Sequence, residues 1–145
     1  MARVFSIEDG NLTSSITGSR TIDYVDVDLS FDKSTIGDIY KKRDAAAVKQ
    51  SVKNLILTAF GERPFRPYFG TNLSDLLFEL FTPNIKYDIE LEIKLAIQNW
   101  EPRAKVQSVK VTELREQNSL YVTLVFEVVN TLETVTLNVT LSRLR

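Results

Sequence analysis

Cysteine and histidine are both absent from this chain of 145 residues. Ser-His-Asp and Cys-His triads, thiolate redox chemistry and the usual zinc sites are thereby excluded. Long apolar runs are missing as well. Runs such as Leu55-Ile56-Leu57 and Leu76-Leu77-Phe78 fall far short of the roughly 20 residues a membrane-spanning helix needs. The N-terminus lacks an apolar signal-peptide core, so the protein is expected to be made and kept in a cytoplasm. Sequons at Asn11, Asn72 and Asn138 carry no meaning there. No dense Lys/Arg tract exists, and the aromatics are interleaved with too few arginines to form a nucleic-acid platform.

With neither metal nor disulfide, the fold must rest on its core. A chain of this length is most simply one domain and buries about 68–70 % of the surface that its unfolded form exposes. The formal net charge is −1, unevenly spread. Residues 1–38 carry three basic and seven acidic side chains, whereas residues 102–145 carry six basic and four acidic. Such asymmetry in a nearly neutral chain fits ordered assembly beside protein neighbours.

Residues 1–22 are rich in Ser, Thr, Gly and Asn and show no period, which predicts an extended arm, with residues 23–145 forming the domain. Alternation from Val25 to Phe31 predicts a half-buried strand with an acidic outer face, followed by a turn over Ser34–Asp38. Asp44 is placed to cap a helix over Ala45–Phe60, with Gly61 as its terminating residue. Asn72 and Asp75 then start a short helix bearing Leu73, Leu76, Leu77 and Leu80. Thr82-Pro83 opens a third, as cap and first-turn proline. On it Ile85, Ile89, Ile93, Ala96, Ile97 and Trp100 form an apolar stripe that Leu91 and Leu95 widen, predicting burial on more than one side. In the last third the period falls from 3.6 to 2, and turns at Glu116-Gln117-Asn118 and near Asn130-Thr131 predict a three-stranded antiparallel meander. Val106 is out of step with Val109 and Val111, which reads as a bulge or as a strand that starts later. The predicted fold is α+β: three helices packed on one face of a small antiparallel sheet. Its last strand, Glu133–Leu141, lacks a guarding proline or lysine. It reads as the edge of its own sheet or as an acceptor for a neighbour's strand.

Two compact motifs flank the helical middle. Gly61-Glu62-Arg63-Pro64-Phe65-Arg66-Pro67-Tyr68-Phe69-Gly70 is a stiff loop that sets aromatics and arginines between glycines. Its aromatics are expected to be largely structural, clasping the loop between helices. Arg63 and Arg66 are expected to be partly available to neighbours, or paired locally with Glu62. Trp100-Glu101-Pro102-Arg103 places an acid and a base around a helix-stopping proline. Glu101 and Arg103 are then either presented together to a partner, where Arg can pair in two-pronged fashion, or Arg103 pairs with Glu101 or caps the helix's last carbonyls.

These motifs resemble the lysozyme-like baseplate wedge protein family of contractile-tail bacteriophages, shared with the matching subunit of type VI secretion systems. The likeness runs from about Asp28 to Val111. It also takes in Asp28-Leu29-Ser30-Phe31, Gly37-Asp38-Ile39 and the segment Ala47–Leu55. The resemblance implies a structural subunit of the virion tail baseplate, assembled in the host cytoplasm. It implies a fold similar to the strand-exchanging part of the sheath protein. Partners implied are the helical core bundle of the other wedge proteins, the sheath protein whose polymerisation it starts, and the tail tube as a further neighbour. Neither a cofactor nor a membrane or nucleic-acid partner is implied. The family's Glu-Pro-Arg contact with the core bundle maps onto Glu101, Pro102 and Arg103, making the partner-binding candidates Trp100, Glu101, Pro102, Arg103, Arg63 and Arg66. On that reading Arg103→Ala leaves the fold intact and weakens core-bundle binding.

The label lysozyme-like raises a glycosidase alternative, in which paired carboxylates such as Glu62 with Glu101, or Glu8 with Asp9, would cleave peptidoglycan. The first pair stands beside arginines that lower a carboxyl pKa, whereas a general acid needs it raised. The sequence thus favours a non-enzymatic role.

Overall fold

The computed structural model describes residues 24–32, 35, 37–79, 82–114 and 119–142. In chain order the elements are β1 (Val25–Val27), β2 (Lys41–Arg43), α1 (Asp44–Leu57), α2 (Leu73–Phe78), α3 (Pro83–Trp100), β3 (Ala104–Leu114), β4 (Ser119–Val128) and β5 (Thr134–Ser142). The expected arm, Leu80 and the turn at Glu116–Asn118 lie outside the described residues.

The period-2 segments pair as an antiparallel sheet in the order β3-β4-β5. Val111 stands opposite Val122, and Val122 opposite Val139. Gln107 is skipped between the pairs Val106–Phe126 and Ser108–Val125. This bulge lets Val106 and Val109, three residues apart, both face the core. Leu120, Val122, Leu124, Phe126 and Val128 of the central strand are 0–2 % exposed. α3 lies on β3, while α1 lies on β5 and β4. Val48, Val52, Leu55, Ile56, Ile89, Ile93 and Ile97 fill the space between helices and sheet. The result is the α+β arrangement that the change of period predicts.

Local signals explain some element ends and fail at others. Thr82 accepts the Ile85 N–H through Oγ1 at 3.4 Å, with Pro83 following in the first turn of α3. Asn72 precedes α2 without a side-chain cap bond; its N–H instead donates to Glu92 Oε1 at 3.2 Å. Asp44 is not the cap of α1 but its first residue, with φ of +46°. Its N–H donates to Tyr24 O at 2.6 Å and its carboxylate accepts the Tyr24 N–H at 3.2 Å. A short-range cap is thus replaced by a link across twenty residues of chain. α1 stops at Leu57, not Phe60, because Thr58 turns extended and its Oγ1 donates to Asn54 O at 2.7 Å. Gly61 is therefore a loop residue and not the helix terminator.

Two burial expectations are overturned. Val25, Val27, Leu29 and Phe31 are 45–63 % exposed, because pairing stops at Val27 and the β1-β2 ribbon stands apart from the main sheet. Gln50 fastens the ribbon to α1 by donating to Val27 O at 2.8 Å, and Lys42 Nζ lies 3.1 Å from Asp28 Oδ1. Leu91 and Leu95 are 41 % and 45 % exposed, so α3 is buried on one side.

Between α1 and α2 the chain closes on itself. Thr71 N–H donates to Thr58 O at 2.9 Å, Phe60 N–H to Thr71 O at 3.3 Å, and Thr71 Oγ1 to Ile56 O at 3.0 Å. Gly70 permits this neck: its φ is +119°, and a Cβ there would lie 2.3 Å from Thr58 O. Gly70→Ala is expected to destabilise the protein by at least about 2 kcal/mol through backbone strain and displacement of the neck. Chemical denaturation with an unchanged midpoint would contradict this.

Candidate functional site

The loop leaving the neck is braced from within. Gly61 N–H donates to Pro67 O at 2.7 Å, Arg66 N–H to Arg63 O at 3.1 Å, and Phe69 N–H to Arg66 O at 3.0 Å. The Glu62 carboxylate accepts the Ala59 N–H at 2.9 Å, so Glu62 serves the backbone and not a nearby arginine. Arg63 lies over the Phe69 ring, 4.1 Å from its centroid. Phe69 in turn meets Trp100 edge to face, with centroids 5.4 Å apart. This stack joins the loop motif to the motif at the end of α3. Each such contact contributes on the order of 0.5–1.5 kcal/mol.

Phe69 is thus the structural aromatic that the sequence predicts. Phe65 and Tyr68 are not: they are 98 % and 80 % exposed. Prolines on both sides hold the tip away from the body, so these rings gain no partner within the described residues.

At the other motif, Pro102 follows the end of α3 and the chain turns directly into β3. Glu101 N–H donates to Ile97 O at 2.9 Å, Ala104 N–H to Glu101 O at 3.1 Å, and Val129 N–H to Arg103 O at 3.0 Å. Glu101 is only 4 % exposed. Arg103 grips its carboxylate with two parallel bonds, Nε to Oε1 at 2.6 Å and Nη2 to Oε2 at 2.7 Å. Ser51 of α1 adds a third, from Oγ to Oε2. The guanidinium carbon Cζ of Arg103 lies over the Tyr24 ring, 5.3 Å from its centroid.

Of the alternatives left open by the sequence, the Glu101–Arg103 pair is formed within the chain, and Glu101 is not displayed. Arg103 keeps its side chain 32 % exposed. Trp100 is 38 % exposed, and Pro102, Arg63 and Arg66 are exposed. All six candidates lie on the loop or the corner that the Phe69–Trp100 contact connects. Sequence reasoning missed Ser51 and Tyr24 as parts of the arrangement. Ser51 left a signal: it shares a helical face with Val48, Val52 and Leu55, where a hydroxyl calls for a buried acceptor.

Burial acts to raise the Glu101 pKa, but the hydrogen bonds from Arg103 and Ser51 outweigh it and hold the carboxyl below its ordinary 4.5. Glu101 likewise secures the proton on Arg103 against the effect of burial. A carboxylate held ionised in this way is a poor general acid, and Glu62 is committed to a backbone N–H. The site can position a guanidinium and display aromatics.

Residues 42–134 match the sequence model of the family described as baseplate wedge protein gp25. The loop and the corner both fall within that stretch. Baseplate wedge protein gp25 of Enterobacteria phage T4 is 34 % identical over 107 residues, spanning 74 % of this chain and 81 % of that protein. Among solved structures, a candidate tail lysozyme from Geobacter sulfurreducens aligns with a TM-score of 0.63 at 27 % identity, over 68 % of this chain and 89 % of that one. A chain of the anti-feeding prophage baseplate shares the fold, with a TM-score of 0.60 at 21 % identity over 84 % and 88 % of the two chains.

The buried carboxylate changes what loss of its partner does. Arg103→Ala removes both guanidinium bonds from the buried Glu101 carboxylate, so the fold does not stay intact at no cost: a loss of about 2–3 kcal/mol is expected. Because the folded-state pKa of Glu101 lies below 4.5, its ionic contribution is present above that pH and is lost as pH falls through the folded value. Denaturation followed against pH should show a decline in acid that Glu101→Gln makes shallower. A wild-type profile and a Glu101→Gln profile of equal slope would refute this.

Proposed function

The chain belongs to the baseplate wedge protein gp25 family, and from that premise we propose that it docks on the core bundle of other wedge proteins and initiates sheath assembly. As a family member it is a structural component of a phage-type tail baseplate. The finer role rests on one observation above all: a buried carboxylate holds the Arg103 guanidinium in a fixed pose with part of it in solvent. Arg has five N–H donors; Glu101 takes two, and the remainder are free of that pair. A pre-oriented guanidinium with spare donors suits a carboxylate on a partner better than a freely rotating one, since less entropy is lost on pairing. Glu101 thus acts through Arg103. Trp100, Pro102 and Arg63 widen the surface.

Sheath initiation draws support from the unequal edges of the main sheet. The β3 edge is obstructed: it bulges at Gln107, and Glu90 Oε1 accepts the Val111 N–H at 3.1 Å. Both features discourage strand addition. β5 carries neither feature among the described residues and alternates exposed Thr134, Thr136, Asn138 and Thr140 with core residues. It is therefore the edge offered to a sheath strand, with the tail tube as an additional neighbour. Leu137, Val139 and Leu141 are 3–7 % exposed, so deleting residues 133–145 would remove core as well as edge and cannot separate the two roles. The role is non-enzymatic: Glu101 and Glu62, the pair that the sequence offers as catalytic carboxylates, serve a guanidinium and a backbone N–H.

Arg103→Lys keeps the charge and loses the two-pronged grip. Its affinity for the co-purified wedge subunits, measured by calorimetry, should fall about tenfold or more while the chain stays folded. Wild-type affinity would remove Arg103 from the interface. For the edge, outward amides of Thr134–Ser142 should exchange quickly in the isolated chain and become protected on baseplates that carry sheath. Exchange that stays fast there would exclude β5.

A further inference from the structure

The loop tip carries an aromatic pair that the fold leaves unused. Phe65 is 98 % exposed and Tyr68 80 %, whereas Phe69 in the same loop packs on Trp100. Single apolar residues scattered over a surface are ordinary; two rings at the tip of one braced loop form a feature of a different kind. The backbone below them is held by the Gly61–Pro67, Arg66–Arg63 and Phe69–Arg66 hydrogen bonds and by the Thr58–Thr71 neck. Pro64 and Pro67 fix φ on either side of Phe65 and Arg66. A tip so constrained has little conformational freedom left to lose when it is captured.

Its charges are already sorted. Glu62 is committed to the Ala59 N–H and Arg63 lies over Phe69. Arg66, exposed between the two free rings, has no ion-pair partner among the described residues. Tyr and Arg are enriched at interface hot spots and Phe in interface cores.

We infer that this tip is an insertion knob: Phe65 and Tyr68 enter an apolar pocket on another baseplate subunit, and Arg66 pairs with a carboxylate at the pocket's rim. The inference rests on the family reading above and adds a contact apart from the Arg103 corner. A lipid surface fits less well, because membrane anchoring gathers several cations beside its aromatics and the tip offers one. A second copy of this chain also fits less well. The cleft of about 220 Å³ beside Tyr87 and Leu91 is a partly apolar recess with a carboxylate, but Glu90 there is taken by the Val111 N–H and lies 4.0 Å from Lys86.

The test places a benzoylphenylalanine at position 65 in the full chain, assembled into baseplate particles and irradiated. The expected result is a cross-link to one other baseplate subunit, on an apolar segment bordered by Asp or Glu. Cross-linking to a second copy, to lipid, or to nothing in fully assembled particles overturns the inference. In parallel, the double variant Phe65→Ala with Tyr68→Ala should melt with the wild type, since neither ring packs on the core, yet bind the cross-linked subunit at least about 30-fold more weakly. Arg66→Glu should weaken binding as well, and Arg66→Lys should restore part of it. Wild-type affinity of the double variant sinks the knob while the family reading stands. A wild-type chain that does not enter baseplate particles would sink that reading itself.

Discussion

Glu101 sits where α3 ends and β3 begins, nearly out of reach of water, and three donors from two parts of the chain converge on its carboxylate. Arg103 supplies two donors from two residues downstream, and Ser51 supplies a third from α1. An ion taken from water in this way is tolerable only if its lone pairs are met. The orientation of α1 against the end of α3, the turn at Pro102 and the pose of Arg103 are therefore set together. The Val129 N–H on Arg103 O extends the same junction to the far end of β4. The corner is first a structural joint, and its capacity to present a guanidinium follows from that.

The loop is organised by the same economy of polar groups. The Gly61, Glu62, Arg66 and Phe69 N–H groups are met locally, its glutamate is used on the main chain, and one aromatic anchors it to Trp100. What remains outward, two rings and an arginine, is left over after the internal requirements are met. The two motifs thus exchange the roles that their composition suggests. The acid of the corner turns inward, and most of the aromatics of the loop turn outward.

How much was legible in the sequence differs from element to element. The meander, its bulge, the start of α3 at Thr82-Pro83 and the apolar stripe of α3 were all readable, because each depends on periodicity or on a bond within a few residues. The extent of α1 was not, since Asp44 answers to Tyr24 and Thr58 answers to Thr71, partners that no short window reveals. Burial failed where apolar residues outnumber the surfaces available to cover them. Leu91, Leu95, Phe65 and the β1 valines look like core in sequence and are solvent-facing in the fold.

By itself the sequence determined the α+β class, the order of the three helices and the meander strands, and the family, because hydrophobic period and ordered motifs are properties of the chain read along its length; it left no sign of β2 (Lys41–Arg43). It also excluded whole classes of chemistry, since no arrangement can supply a missing histidine or cysteine. Only the tertiary structure decided which way each functional side chain points. Glu101 could have been displayed or buried, and Phe65 could have plugged a core or stood in water. Those outcomes depend on whether Ser51, fifty residues away in sequence, arrives beside the carboxylate, and on whether any helix remains to cover the loop.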